Sequence, residues 1–157
     1  LAIDFSIKTF NFKDRRTKNY RKNYTGRFYE LLGEELDLRR SYEFAILVAL
    51  VLLPADSLND SSPSSFSLAV KQFSKIAKAS SAKPKEFGFE FVFIGLHDST
   101  GISFFDATNA PPKVGSPNTS SLLSPDQMLS KVNKVYQLRK SDINSAGLPI
   151  CVPFTFT

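Results

Sequence analysis

The sequence predicts an α/β fold with a central mixed β-sheet flanked by helices, and three observations lead there. An unbroken apolar run, FAILVALVLLP at residues 44–54, reads as a strand buried on both faces. The strand pattern at the start of the chain is separated from this run by an amphipathic helical stretch, which argues a parallel pair joined by a helical crossover. Further on, FGFEFVFIGL and ISFFDAT flank the turn HDSTG and read as an antiparallel hairpin, which makes the sheet mixed.

The first element is IDFSIKTF, where apolar and polar residues alternate. Ile3, Phe5 and Ile7 share one face, and Asp4, Ser6 and Lys8 share the other, the pattern of a half-buried strand with its apolar side inward. A basic segment follows. Residues 23–41, NYTGRFYELLGEELDLRRS, then carry Phe28, Leu31, Leu32 and Leu36 at helical spacing. Asn23 or Thr25 is placed to cap this helix, and Arg39 and Arg40 suit its C-terminal end. Gly33 in its middle suggests close packing on the sheet.

The buried strand ends at Pro54, and a Ser/Asn/Asp/Pro loop follows. Residues 65–80 read as a second amphipathic helix, with Phe66, Ala69, Val70, Phe73, Ile76 and Ala77 on one side. After the hairpin and a loop over NAPPKVGSPNTSS, residues 124–140 begin with a Ser cap and a proline at the first helical position. The tail GLPICVPFTFT is expected to add a short edge strand.

Composition bounds the function. The chain has 157 residues, enough for one domain with a sizeable core, and 42% of them are apolar. Cys151 is the single cysteine, so an internal disulfide and a cysteine-based zinc site are excluded. That suits a reducing compartment, and a cytoplasmic location is the expectation. No signal peptide pattern is visible, and residues 44–54 are about half the length that spans a bilayer. The first residue is Leu and the chain starts inside a strand pattern, so N-terminal elements are expected to be missing.

The formal net charge is +5, and it is concentrated. Residues 13–27 hold seven Lys or Arg (Lys13, Arg15, Arg16, Lys18, Arg21, Lys22, Arg27) against one acid, so the remainder is close to neutral. Such a segment can bind nucleic-acid phosphates and release their counterions. Tyr20 and Tyr24 lie within it, placed to stack on bases or pack on sugars. The alternative is a solvated basic loop.

The opening strand and the first helix carry the candidate chemistry. Asp4, Ser6 and Lys8 line one face, and Glu30, Glu34 and Asp37 lie on the helix that crosses back over it. A carboxylate pair beside a lysine can ligate Mg²⁺ through oxygen, with Asp4, Glu30 and Glu34 as the possible ligands. His97 is the only histidine; its neighbours Asp98 and Ser99 in a turn do not make a triad, which needs the base to reach a nucleophile in space. No phosphate-cradling glycine loop is present.

Strand IDFSIKTF, helix TGRFYELLGEELDLRR and strand YEFAILVALVLLP together resemble the central part of the PD-(D/E)xK restriction-type nucleases. The resemblance covers about residues 1–54. It implies a restriction-endonuclease-like fold, with residues 1–157 as a single nuclease-like domain, and Mg²⁺-dependent hydrolysis of DNA phosphodiester bonds by a homodimer. Lys8 matches the family's lysine, and Ser6 stands where its strand acid belongs. Glu30 is the first candidate for an acid recruited from the helix, Glu34 the second, and Asp4 shares the strand face. The family's first acid, from the preceding strand, has no counterpart here. A non-catalytic nucleic-acid-binding module of the same fold, and an interaction domain with no nucleic acid, stay open as alternatives.

Overall fold

The computed structural model describes residues 1–77, 88–108 and 122–146. Cys151, the tail strand, the loop at 109–121 and the far end of the expected second helix lie outside them. The elements run β1 (Ile3–Thr9), α1 (Tyr24–Ser41), β2 (Ile46–Pro54), α2 (Ser65–Phe73), β3 (Phe91–Asp98), β4 (Gly101–Asp106) and α3 (Pro125–Ser145). The sheet order is β1-β2-β3-β4. The first three strands are parallel, and β4 closes the hairpin antiparallel to β3. The mixed sheet with helices on its faces is therefore as the sequence predicts.

Strand β2 is apolar throughout because both of its faces are covered. Leu47, Ala49, Val51 and Leu53 join Leu31 of α1 and Phe66, Val70 and Phe73 of α2 in one core. Ile46, Val48 and Leu50 join Phe91, Phe93 and Phe104 with Met128 and Val132 of α3 in another. A central parallel strand has no solvent face to spend polar residues on. Gly95 in β3 is required by this packing, since a Cβ there would meet Leu52 Cδ2 at 2.6 Å and Phe104 at 3.1 Å. The start of α3 is the expected one: Ser124 accepts from the Gln127 N–H, the Gln127 side chain accepts from the Ser124 N–H, and proline opens the helix.

Three local expectations fail. Glu35 of α1 takes the buried position and Leu36 stays exposed. Gly33 faces open space, with nothing within 4 Å of a Cβ placed on it. The α1 cap position is Asn23, in a left-handed conformation at φ 70°, but its side chain makes no capping hydrogen bond.

Glu35 is buried and the Glu90 side chain largely covered because they serve the sheet's N-terminal end. The Glu90 carboxylate accepts from Arg39 of α1 at 2.8 Å, from Arg139 of α3 at 3.0 Å and from the Leu47 N–H at 2.8 Å. Both arginines also donate to the Ala45 carbonyl, at 2.8 and 2.9 Å. Glu35 accepts from the Gly88 N–H at 2.9 Å. One carboxylate thus ties helices on opposite faces to the sheet between them.

Burial pushes the Glu90 carboxyl up, but the Arg39 hydrogen bond, the Leu47 N–H and the two guanidinium charges outweigh it and hold it below the ordinary value. A lowered folded-state value means stability that is full above the ordinary carboxylate range and lost as pH falls through it. Glu90→Ala removes the shared carboxylate from two partly buried guanidinium groups, which keep their backbone carbonyl partners and, for Arg39, Glu35 at 3.5 Å; it is expected to cost about 1–3 kcal/mol at neutral pH in urea unfolding, with a smaller difference from wild type in acid.

Candidate functional site

The β1–β2 register decides which face of β1 meets α1. Asp4 lies beside Leu47, Ser6 beside Ala49 and Lys8 beside Val51. Those β2 residues point into the core shared with α1 and α2. The polar face of β1 is therefore the one turned inward, and Ser6 is buried. The apolar face is the open one, with Phe5 37% and Ile7 53% exposed. This exchanges the two sides of the half-buried strand, because hydrophobic alternation cannot reveal which face of that part of the sheet a helix covers; among the described residues it is the polar one.

Under α1 the side chains converge. Lys8 Nζ donates to Glu34 Oε1 at 2.5 Å and lies 3.5 Å from Glu30 Oε2. Glu30 is itself turned to Arg27, which donates to it at 2.6 Å, and this hydrogen bond chiefly holds the Glu30 carboxyl below its ordinary value. Lys8 keeps only 11% of its side-chain surface exposed, against 40% for Glu34, so the cluster opens to solvent on the helix side. Asp4 enters no ion pair among the described residues. Its carboxyl is pushed up, first by burial and then by the charge of Glu34, with hydrogen bonding to Ser6 offsetting part of the rise. Glu34, rather than Glu30, is thus the acid that both Lys8 and Asp4 feel. Among the described residues no three Asp, Glu, His or Cys side chains stand close enough to hold a metal ion together. Asp4, Glu30 and Glu34 do not form one three-ligand cluster.

The basic segment is built as a folded turn. Asp14 accepts from the backbone N–H groups of Arg16 and Thr17 and from the Thr17 hydroxyl, and Lys18 takes a left-handed conformation at φ 55°. Lys13, Arg15, Arg16, Lys18, Arg21 and Lys22 are exposed, while Arg27 is half-buried against Glu30. The tyrosines correct the expectation of base stacking. Tyr20 and Tyr24 are both buried, and Tyr24 packs edge-on against Phe10 and Phe73 with ring centroids 4.6 and 5.6 Å apart. Their spacing within a basic run hid their role as anchors.

Asp60 is the residue that sequence reasoning missed. It accepts from the Tyr20 N–H, the Ser65 N–H and the Ser65 hydroxyl, joining the end of the basic turn to the start of α2. An acid inside a serine-rich loop is the only signal it gave. At the same end of the sheet His97 Nε2 lies 3.1 Å from Asn11 Oδ1, and Asp98 accepts from the Thr100 N–H and hydroxyl rather than serving a triad.

No family model, curated protein or solved structure matches this chain. Among the described residues no helix is long and apolar enough to cross a membrane.

Because the folded-state value of Asp4 lies above its unfolded one, the ionised carboxylate opposes folding; the penalty is absent in acid and complete above the folded-state value. Asp4→Asn is therefore expected to raise the thermal unfolding midpoint at neutral pH, with the gain vanishing in acid. A lower midpoint at neutral pH would show that Asp4 supports the fold.

Proposed function

We propose that this chain is a Mg²⁺-dependent DNA endonuclease of the restriction type, hydrolysing phosphodiester bonds. The observation that carries the reading is the convergence of Lys8 with Glu34 and Glu30 on the face of β1 that also bears Asp4 and Ser6. Burying a lysine under two carboxylates is a poor way to gain stability, since half-exposed pairs contribute about 0–1 kcal/mol.

Asp4 and Glu34 are the oxygen donors that fit Mg²⁺. Asp4 has no cationic partner among the described residues and is disfavoured as an anion beside Glu34, a conflict that a divalent cation relieves. Two carboxylates suffice for Mg²⁺, which keeps several waters and takes phosphate oxygens as further ligands. When bound, the ion supplies charge stabilisation at the phosphate and eases ionisation of a water. Ser6 orients the Asp4 carboxylate through its hydroxyl. Lys8 holds a positive charge beside the reacting phosphate, where its amine can position the attacking water and stabilise developing negative charge. Glu30, turned to Arg27, keeps that guanidinium beside the site. The exposed cations Lys13, Arg15, Arg16, Lys18, Arg21 and Lys22 grip the DNA backbone.

A non-catalytic nucleic-acid-binding module is the second reading. It is favoured by one observation: among the described residues no three acidic or His/Cys side chains assemble around one point.

Cleavage of plasmid DNA with and without Mg²⁺, run beside binding assays, tests both. Wild type is expected to cut only with the ion. Lys8→Ala and Glu34→Gln are expected to lose about 100-fold or more in cleavage rate while keeping most of their DNA affinity. Glu30→Gln is expected to lose less. Arg15→Ala with Arg16→Ala should weaken binding and flatten the salt slope by about 1.8, at about 0.9 per phosphate contact. Wild-type cleavage by Glu34→Gln refutes the site. Salt-dependent binding with no Mg²⁺-dependent cutting selects the binding module.

A further inference from the structure

Phe12 is 89% exposed, more than any other large apolar side chain among the described residues. A single exposed phenylalanine is ordinary in itself. This one is held out by a backbone that is tied down on both sides. Before it, Phe10 is buried, donates its N–H to the Leu52 carbonyl at 2.9 Å and packs against the rings of Tyr24 and Phe73. Asn11 Oδ1 then lies 3.1 Å from His97 Nε2 at the C-terminal end of β3. After it, the Asp14 N–H donates to the Asn19 carbonyl at 2.8 Å, and the Lys18 N–H donates to the Asp14 carbonyl at 2.9 Å. The Asp14 carboxylate accepts from the N–H groups of Arg16 and Thr17, so the acid of this segment is spent on the turn.

The surroundings of the ring are cationic. Lys13, Arg15, Arg16, Lys18, Arg21 and Lys22 follow it within ten residues, and all are exposed. Lys13 Nζ stands over the buried Tyr20 ring, 5.5 Å from its centroid, which keeps that charge beside Phe12. Tyr20 and Tyr24 are buried, so between residues 12 and 24 the one aromatic ring at the surface is Phe12.

We propose that Phe12 is a stacking platform for an unpaired nucleobase, and that the DNA bound by this chain is single-stranded at that point. The inference rests on the nuclease reading only in taking the cationic turn as a DNA-binding surface. Cations beside an exposed ring match the two parts of a single strand: its phosphates meet the charges, and a base face meets the ring. In a paired duplex each base is already stacked on its neighbours, and a lone ring at the protein surface has no free base face to meet. Phosphate contacts carry no information about the base, so the ring is what makes this surface prefer an open strand. Lys8 and Phe12 are four residues apart, at most about 14 Å of extended chain. One strand can therefore place a base on Phe12 and a phosphate near Lys8.

Equilibrium binding without Mg²⁺ tests this separately from cleavage. The probes are a short oligothymidylate, the same length of abasic deoxyribose phosphate, and the oligothymidylate paired with oligoadenylate. Phe12→Ala is expected to weaken oligothymidylate binding about 5- to 150-fold, with an unchanged salt slope and an unchanged far-UV circular dichroism spectrum. It should leave affinity for the abasic strand and for the duplex within about two-fold of wild type, within the few tenths of a kcal/mol typical of an exposed position. Phe12→Trp should keep the wild-type preference, and Phe12→Leu, apolar but without a ring, should lose it. Equal oligothymidylate affinity in wild type and Phe12→Ala overturns the proposal. So does an equal loss on the abasic strand or the duplex, or wild-type behaviour of Phe12→Leu. Binding to phosphatidylserine vesicles that needs Phe12, with no loss on oligothymidylate, assigns the ring to a membrane surface and overturns it as well. A wild type that binds none of the nucleic-acid probes at low salt overturns both this inference and the nuclease reading. Phe12-dependent binding without any Mg²⁺-dependent cutting upholds the platform and removes the nuclease reading alone.

Discussion

The contact between Lys8 and Glu34 is the interaction on which the functional reading depends, and it exists only because two separate parts of the structure agree. The parallel register with β2 turns Asp4, Ser6 and Lys8 toward α1. The crossover then lays α1 over that face with Glu30 and Glu34 one turn apart above the lysine. A shift of one residue in the β1 register would send Lys8 to the opposite face and place Ile7 under the acids. Strand β2 resists such a shift little, being apolar on both faces. The inward polar side of β1 is held in place by its partners under the helix.

At the other end of the sheet the molecule is clamped. Glu90 draws Arg39 from one face and Arg139 from the other, and both arginines share the Ala45 carbonyl. This fixes the C-terminal end of α1 firmly, while the stretch from Arg27 to Glu34 carries the candidate site. Just before that stretch the basic turn is tethered through Asp60 to α2 and through Tyr20 and Tyr24 to the core. The exposed cations therefore stand on a folded platform, so little ordering would be needed to bind an anionic partner there.

The fold was legible where a single physical signal dominates. The run at 44–54 reads as a strand buried on two faces, and Ile46–Pro54 is one; the Ser124-Pro125 start of α3 states its own cap. Legibility failed where a residue answers to a neighbour distant in sequence. Glu35 is buried because the Gly88 N–H needs an acceptor, and periodicity alone gave that place to Leu36. Tyr20 and Tyr24 sit among cations in the sequence but belong to an aromatic core closed by Phe10 and Phe73. Of the site, the meeting of Lys8 with the helix acids was foreseen from spacing. Which of the two acids lies nearer Lys8 was not, because it turns on the rotation of α1 and on which acid Arg27 captures.

Asp4 ties these threads together: an acid on the inward strand face, unpaired among the described residues, disfavoured as an anion by burial and by Glu34. An acid placed so is the natural position at which to look for a bound cation. The most direct measurement is the shift in thermal unfolding midpoint on adding Mg²⁺ to wild type and to Asp4→Asn, because a ligand that binds the folded state alone raises its stability. The account predicts a concentration-dependent rise in the wild type that is absent or much smaller in Asp4→Asn. No rise in the wild type, or equal rises in both, would contradict it.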